Sequence, residues 1–340
     1  MRNRTTGGRQ ARLCAAILAV AALGACRGSP RDVTRRDRTK IRVASQAYLG
    51  NAPMHIGVHD SIFAAHGLDV EIVPLGGSDA LPLLLSGDID VVTATLSPGA
   101  LNAMAGGQLV RVVAARGIFN PTRCSHIRMM KARSTASLRR GGRRSISVDR
   151  DLSMQYLVEA SLQRAGVQID TMQVLYIPGA AELDAFRKGT LDYALMGEPW
   201  SARAREEGHA EPWISIDSTL SGAVYGFILF GPSILSGNRE LGERYVAAYL
   251  NAVSRYQEGL TPRNLEIVAT VTGETPELLK KACWPSVSSD GRIRLEDVDR
   301  LQQWALARGY IKKAATPGQL WDSSFIAAVA SRSPRTGVTP

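Results

Sequence analysis

The chain has 340 residues, 45% of them hydrophobic, which suffices for one large or two ordinary globular domains with a buried core. Its formal charge of +10 is concentrated at the start: residues 1–40 hold ten Lys/Arg against two Asp, and the rest holds 31 Lys/Arg against 29 Asp/Glu. The body therefore has no general basic character, which argues against nucleic acid as a partner.

Residues 1–12 form a basic segment, and Leu13–Leu23 an apolar run of signal-peptide length, too short for a membrane span. Leu23-Gly24-Ala25-Cys26 resembles the bacterial lipobox, in which a Leu and two small residues precede the Cys that is lipidated before cleavage. Residues 1–25 are thus expected to be a lipoprotein signal peptide. The mature chain would begin at lipidated Cys26, anchored to the cell membrane and facing the periplasm or cell exterior. An ordinary signal peptide with an incidental Cys is the alternative. Residues 26–40 lack apolar periodicity and read as a flexible basic tether, solvated or resting on anionic headgroups. Cys124 and Cys283 remain; they could pair in an oxidising compartment, but with no framework spacing two separate thiols are the expected reading.

Residues 41–47 predict a strand, and Met54–His66 a helix closed by Gly67. Leu68–Val73 is the next strand, and 79–86 a helix that Ser78 can cap. The apolar run Ile89–Ala94 suits a parallel strand covered on both faces. Ser97-Pro98 is an N-cap followed by Pro at the first helical position, and Leu109–Ala115 is a further strand. The alternation of strands and helices indicates a mostly parallel sheet. Beyond Gly117, residues 124–130 read as a strand leaving this unit, and 132–144 as a loop containing RRGGRR. A second α/β unit follows, with strands at 145–148, 173–176 and 191–196 and helices at 153–165, 182–188 and 199–207. Val224–Phe230 is a strand able to return the chain to the first unit. From Arg239 the pattern is helical, ending in a loose tail at 333–340.

Residues 74–98 and 176–200 align without a gap, Gly77 falling on Gly179, Gly87 on Gly189 and Asp90 on Asp192. Identity is weak, but the order of turn, helix, turn and strand is shared. Two similar units suggest two similar lobes with a cleft between them.

The lipobox, the stretch Ile62-Phe63-Ala64-Ala65-His66-Gly67-Leu68-Asp69-Val70-Glu71 and the segment Leu84–Val92 resemble the nitrate/sulfonate/taurine family of ABC-importer solute-binding proteins. Relatives in that family bind thiamine-pyrimidine precursors. Leu191–Trp200 is similar to the family's segment ending Trp-Glu-Pro, with Gly197 where the family often has Trp. The resemblance covers about residues 41–330. It implies an α/β, two-lobed periplasmic binding protein type II fold, each lobe a mostly parallel sheet flanked by helices. The expected division is 41–119 for the first lobe, 120–222 for the second, and 223–332 for completion of the first lobe and the C-terminal helices. The implied function is hinge closure on a small solute (a sulfonate- or nitrate-like anion, or a pyrimidine-type precursor), delivered to an ABC permease and its ATPase. The expected protein is a monomer without cofactor or catalytic residue. Two alternatives stand beside it: a type II binding-fold enzyme of thiamine- or menaquinone-like cofactor biosynthesis, and a sensor lipoprotein without a transport role.

Ligands of open α/β sheets sit beyond the carboxyl ends of the strands. The candidate ligand contacts there are Gln46, Tyr48 and Asn51 in the first loop, Gly77 and Ser78, Thr95 and Ser97, and Ser153. Glu198, Trp200 and Tyr225 complete the set. Each has a bland reading: Ser78, Ser97 and Ser153 as helix caps, Glu198 as an exposed carboxylate at a helix start, Trp200 and Tyr225 as packing. His55 and His59 have i, i+4 spacing but no third ligand, so surface or partly buried histidines are expected.

Overall fold

The computed structural model describes residues 38–120, 127–133, 143–177 and 179–332. The expected signal segment, Cys26, residues 27–37 of the tether, Cys124, the arginines at 139 and 140, and the tail lie outside them, whereas Thr39 and Lys40, expected in the tether, begin the first strand.

Ten strands follow in chain order: β1 Thr39–Ala44, β2 Leu68–Val73, β3 Val91–Ala94, β4 Arg111–Ala115, β5 Ile127–Ala132, β6 Ser145–Ser147, β7 Gln173–Leu175, β8 Tyr193–Gly197, β9 Ala210–Ser215 and β10 Phe227–Phe230. They form two five-stranded sheets, ordered β2-β1-β3-β10-β4 and β7-β6-β8-β5-β9. In each sheet one strand runs against the other four: β10 is antiparallel to β3 and β4, and β5 is antiparallel to β8 and β9. Those two strands are the ones reached by crossing from the other lobe. The sheets are thus mixed but mostly parallel, and they share one topology.

The parallel strands are apolar on both faces because both faces are covered. In the first sheet Ile41, Val43, Val91 and Val113 pack with Met54, Tyr245, Tyr249 and Val253 on one side. Val92, Val112 and Leu229 pack with Leu84, Met104, Val298 and Leu301 on the other. The second sheet does likewise, with Met129 and Ile146 against Leu157 and Leu162, and Met130 and Met196 against Leu183 and Phe186.

Two crossing segments join the lobes and hydrogen-bond to each other. Phe119 N donates to Ala223 O at 2.9 Å, Tyr225 N to Gly117 O at 3.0 Å, and Arg116 N to Gly226 O at 2.7 Å. The contact is close: a Cβ on Gly117 would lie 2.2 Å from the Tyr225 ring, so only glycine lets the segments approach this way.

Several local expectations change. The helix expected over 54–66 is two helices, Ala52–His59 and Ile62–Ala65, broken at Ser61, whose φ of 59° is left-handed. The helix expected to be capped by Ser78 begins earlier, Gly77–Ser86, with Gly76 as N-cap and no side-chain cap. Gly77 is there for space, since a Cβ would stand 2.5 Å from the Ala94 Cβ. Strand β9 had no clear signal: it contains Pro212, pairs only with β5, and the register shifts beside it. Proline is tolerated at such an edge position because it needs no ladder donor. Cys283 is disulfide-bonded, which corrects the reading of it as a separate thiol.

The helix Arg239–Gln257 holds the first lobe together through Tyr245, fully buried, its ring 5.4 Å from Phe63 and 5.6 Å from Phe230. Its hydroxyl donates to Met54 Sδ at 3.2 Å. Truncation there leaves a cavity that close-packed neighbours cannot fill. Tyr245→Ala is expected to destabilise by about 3–5 kcal/mol, and Tyr245→Phe by about 1 kcal/mol, in a urea unfolding series.

Candidate functional site

The carboxyl ends of β1, β3, β4, β6, β7 and β8 converge on a cavity of about 480 Å³ between the lobes. Of the residues expected from sequence, Gln46, Tyr48, Asn51, Gly77, Ser78 and Thr95 line it from the first lobe. Glu198 and Trp200 line it from the second, and Tyr225 from the crossing segment. Ser97 and Ser153 do not line it. Ser97 Oγ accepts from Ala100 N at 3.2 Å and is the N-cap of the helix Pro98–Ala105, while Ser153 Oγ accepts from Leu96 N at 3.3 Å across the lobes. Both hydroxyls are therefore engaged as backbone partners.

Asp151 is the centre of the interlobe contact. It occupies the N-cap position of the helix Leu152–Arg164, yet its side chain makes no cap bond. Instead Ser78 Oγ donates to Asp151 Oδ1 at 2.7 Å, and Thr95 Oγ1 donates to Oδ2. The hydroxyl that the sequence placed as a cap thus serves as a bridge between lobes. Burial raises the Asp151 carboxyl to about 6, with Asp149 adding repulsion and the two hydroxyls opposing the shift.

The other carboxylates of the lining are Asp79, Asp149, Glu182 and Glu198. Glu182 sits in the first turn of the helix Gly179–Arg187 and is only 3% exposed. Burial raises it to about 8, against a lowering hydrogen bond with Ser147. The Tyr48 phenol is pushed up to about 12, by burial and then by Asp149, Glu182 and Asp151.

Arg116 stands elsewhere on the wall. It is buried, donates through Nη1 to Gly50 O at 2.5 Å, and lies 5.9 Å from the Tyr225 ring centre. Its Nε has no hydrogen-bond partner among the described residues. Tyr225 itself packs on Phe119 with ring centres 4.6 Å apart. Trp200 rests on the start of the Gly179 helix, where a Cβ on Gly179 would meet its Cδ1 at 3.0 Å. A Cβ at Gly197 would meet nothing within 4 Å, so this position leaves space open in the cavity wall.

Glu198 differs from expectation in detail. It is buried rather than exposed, and its carboxylate turns into the lobe: Oε2 accepts from Ala202 N at 2.9 Å, with Arg205 Nη2 3.6 Å from Oε1. Its backbone carbonyl accepts from Leu49 N at 3.3 Å across the lobes. Burial raises its pKa, with Ser201 and Arg205 opposing.

Sequence reasoning passed over Asp151, Glu182, Arg116 and Tyr176. Asp151 carried a signal, an Asp between the strand expected at 145–148 and the helix expected from 153. Glu182 read only as the beginning of a helix, and Arg116 as the residue after a strand.

Two outcomes follow from these contacts. Carboxyl groups raised by burial contribute stability that is full below their ordinary pKa and lost as pH rises through the raised one. The ligand-free protein should therefore lose Tm from pH 4 through the raised values of about 6 and 8. Glu182→Gln should remove the upper part of that loss in a calorimetric pH series. Glu198→Ala should lower stability by about 1–3 kcal/mol in urea unfolding, because a helix start and Arg205 lose their acceptor.

No curated protein matches the chain by sequence. Among solved structures, the ligand-binding component of an ABC-type import system from Staphylococcus aureus, with zinc bound, aligns with a TM-score of 0.72 at 13% identity, covering 86% of this chain and 99% of that one. The periplasmic aliphatic sulphonate-binding protein SsuA from Escherichia coli aligns with a TM-score of 0.64 at 18% identity, covering 84% and 98%. The periplasmic nitrate-binding protein NrtA from Synechocystis PCC 6803 aligns with a TM-score of 0.66 at 11% identity, covering 87% and 89%. The desulfurization enzyme DSZB also shares the fold, with a TM-score of 0.61 at 14% identity, covering 87% and 99%. The model of the NMT1-like family matches residues 35–271, most of the chain, and the chain belongs to that family.

Proposed function

We propose that the protein is an extracytoplasmic solute-binding protein of an ABC importer. The observation that carries this reading is the cavity of about 480 Å³, lined from both lobes and spanned by the Asp151 bridge. Polar groups from both lobes meet on one cleft, so a ligand there gains contacts that exist only when the lobes are together. That differential affinity shifts the population toward closure, the behaviour for which periplasmic binding proteins are a standard example. The paired crossing segments at 117–119 and 223–226 supply the hinge. The import-system and sulphonate- and nitrate-binding proteins that share the fold support the same reading.

The finer parts of the proposal rest on sequence. Cys26 carries the lipid that anchors the chain to the membrane, residues 1–25 are the signal, and the protein acts as a monomer beside a permease and ATPase. Among the described residues no helix is long and apolar enough to cross a membrane. The ligand contacts come from the cavity-lining set Gln46, Tyr48, Asn51, Ser78, Thr95 and Trp200. DSZB keeps an enzyme reading in view, since one fold hosts both roles.

The test is a thermal-shift series with sulfonates, nitrate, bicarbonate, aminopyrimidines and organic amines, followed by solution scattering with any solute that binds. A solute at one hundred times its Kd should stabilise by about 2.7 kcal/mol, a Tm rise of several degrees. Scattering should show a smaller radius on saturation. An unchanged radius at saturation would discard closure, and no stabilisation by any solute would discard the binding reading.

A further inference from the structure

We infer that the solute is an organic cation, its charged nitrogen held in the interlobe cavity by Glu182, Asp149, Asp151 and Asp79. The inference rests on the solute-binding reading and names the charge class of its ligand.

These four carboxylates reach one cavity from three separate places in the chain: the first-lobe helix start at Asp79, the turn after β6 at Asp149 and Asp151, and the first turn of the Gly179 helix at Glu182. Two cations line the same cavity, and both are engaged. Arg150 is exposed and lies 5.3 Å from the Tyr176 ring centre. Arg116 donates to Gly50 O beside Tyr225. An anion entering the cavity would meet more negative than positive groups, whereas a cation finds compensation on several sides.

A second observation points the same way. Asn51 is 4% exposed and lines the cavity; its Nδ2 donates to Gln46 O at 2.8 Å, and its Oδ1 has no donor among the described residues. A buried acceptor without a donor calls for an N–H or O–H from the ligand. Tyr48, Tyr176 and Trp200 add aromatic surfaces to the lining, and ring faces attract cations.

Binding of such a cation is linked to protons. Glu182 faces Asp149 and the Ser147 hydroxyl, and Asp151 faces Asp149, Asp79 and the Ser78 and Thr95 hydroxyls. In the empty cavity burial holds both acids partly protonated near neutral pH. A bound cation favours their ionised forms, so its uptake releases protons and strengthens as pH rises through 6 to 8.

The experiment is isothermal titration of the mature chain with agmatine, putrescine and choline as cations, and with methanesulfonate and nitrate as anions, at pH 6 and pH 8. At least one cation should bind, about tenfold or more tightly at pH 8 than at pH 6, with proton release shown by the dependence of heat on buffer. Glu182→Gln and Asp149→Asn should each weaken that cation about tenfold or more while keeping a cooperative thermal transition. Binding of an anion without any cation would overturn the inference and leave the solute-binding reading standing. A cation that binds the wild type and both variants equally would also overturn it. Absence of binding by either set would count against both readings.

Discussion

Where the chain crosses between the lobes, its backbone groups cannot join either sheet, and they satisfy one another instead. Phe119, Ala223, Gly117 and Tyr225 exchange hydrogen bonds across two strands of chain, and the Tyr225 ring fills the place where a side chain at 117 would stand. This pairing is the constraint on which the architecture depends. It delivers β5 into the second sheet and β10 into the first, each against the direction of its neighbours. It also sets the carboxyl ends of the parallel strands around one space. The loops that leave those ends, otherwise unrelated in sequence, thereby become one cavity wall.

That wall is chemically uneven. The turn after β3 and the helix start at Gly77 bring hydroxyls and bare backbone. The corresponding turns of the second lobe bring carboxylates and aromatic rings. Asp151 joins the two by turning away from its own helix, leaving the helix start without a side-chain cap and accepting hydroxyls from the first lobe. The lobes also meet through apolar contacts beside this bridge, Ala202 packing with the cluster around Met54 and Leu152 with the cluster around Leu84. Burial raises the Asp151 and Glu182 carboxyls toward their neutral forms, so these two respond to whatever charge enters.

Much of the scaffold was readable from local pattern. β2 spans the residues that its alternation and the preceding Gly67 indicate. Ser97-Pro98 starts a helix through the expected cap bond. Gly87 and Gly189, matched by the internal repeat, both take left-handed backbone at the ends of their helices. The misses share a cause. The helix expected over 54–66 breaks at Ser61, where no Gly or Pro warns of it. β9 contains a proline that reads as loop until its edge position is known. Ser78, Ser153 and Glu198 were each placed correctly on a turn or helix start, but their partners lie elsewhere. Ser78 reaches a residue 73 positions away and Ser153 one 57 positions away, and the Glu198 carboxylate, besides capping its own helix, stands 3.9 Å from Arg128 Nε on β5.

The sequence by itself determined the order of strands and helices, the repetition of one α/β unit, the two crossings and the membership of a binding-protein fold. The first three follow from periodicity and turn chemistry, which act over a few residues, and the last from the resemblance to a known family. Only the tertiary structure decided which turn residues open on the cavity and which are consumed as caps. It also decided that five carboxylates share that cavity with an Asn51 oxygen that has no donor among the described residues. The physical reason is that a side chain's charge, burial and partner are set by groups brought near it from distant parts of the chain. Asp149 and Glu182 act on Tyr48 only because the two lobes place them together.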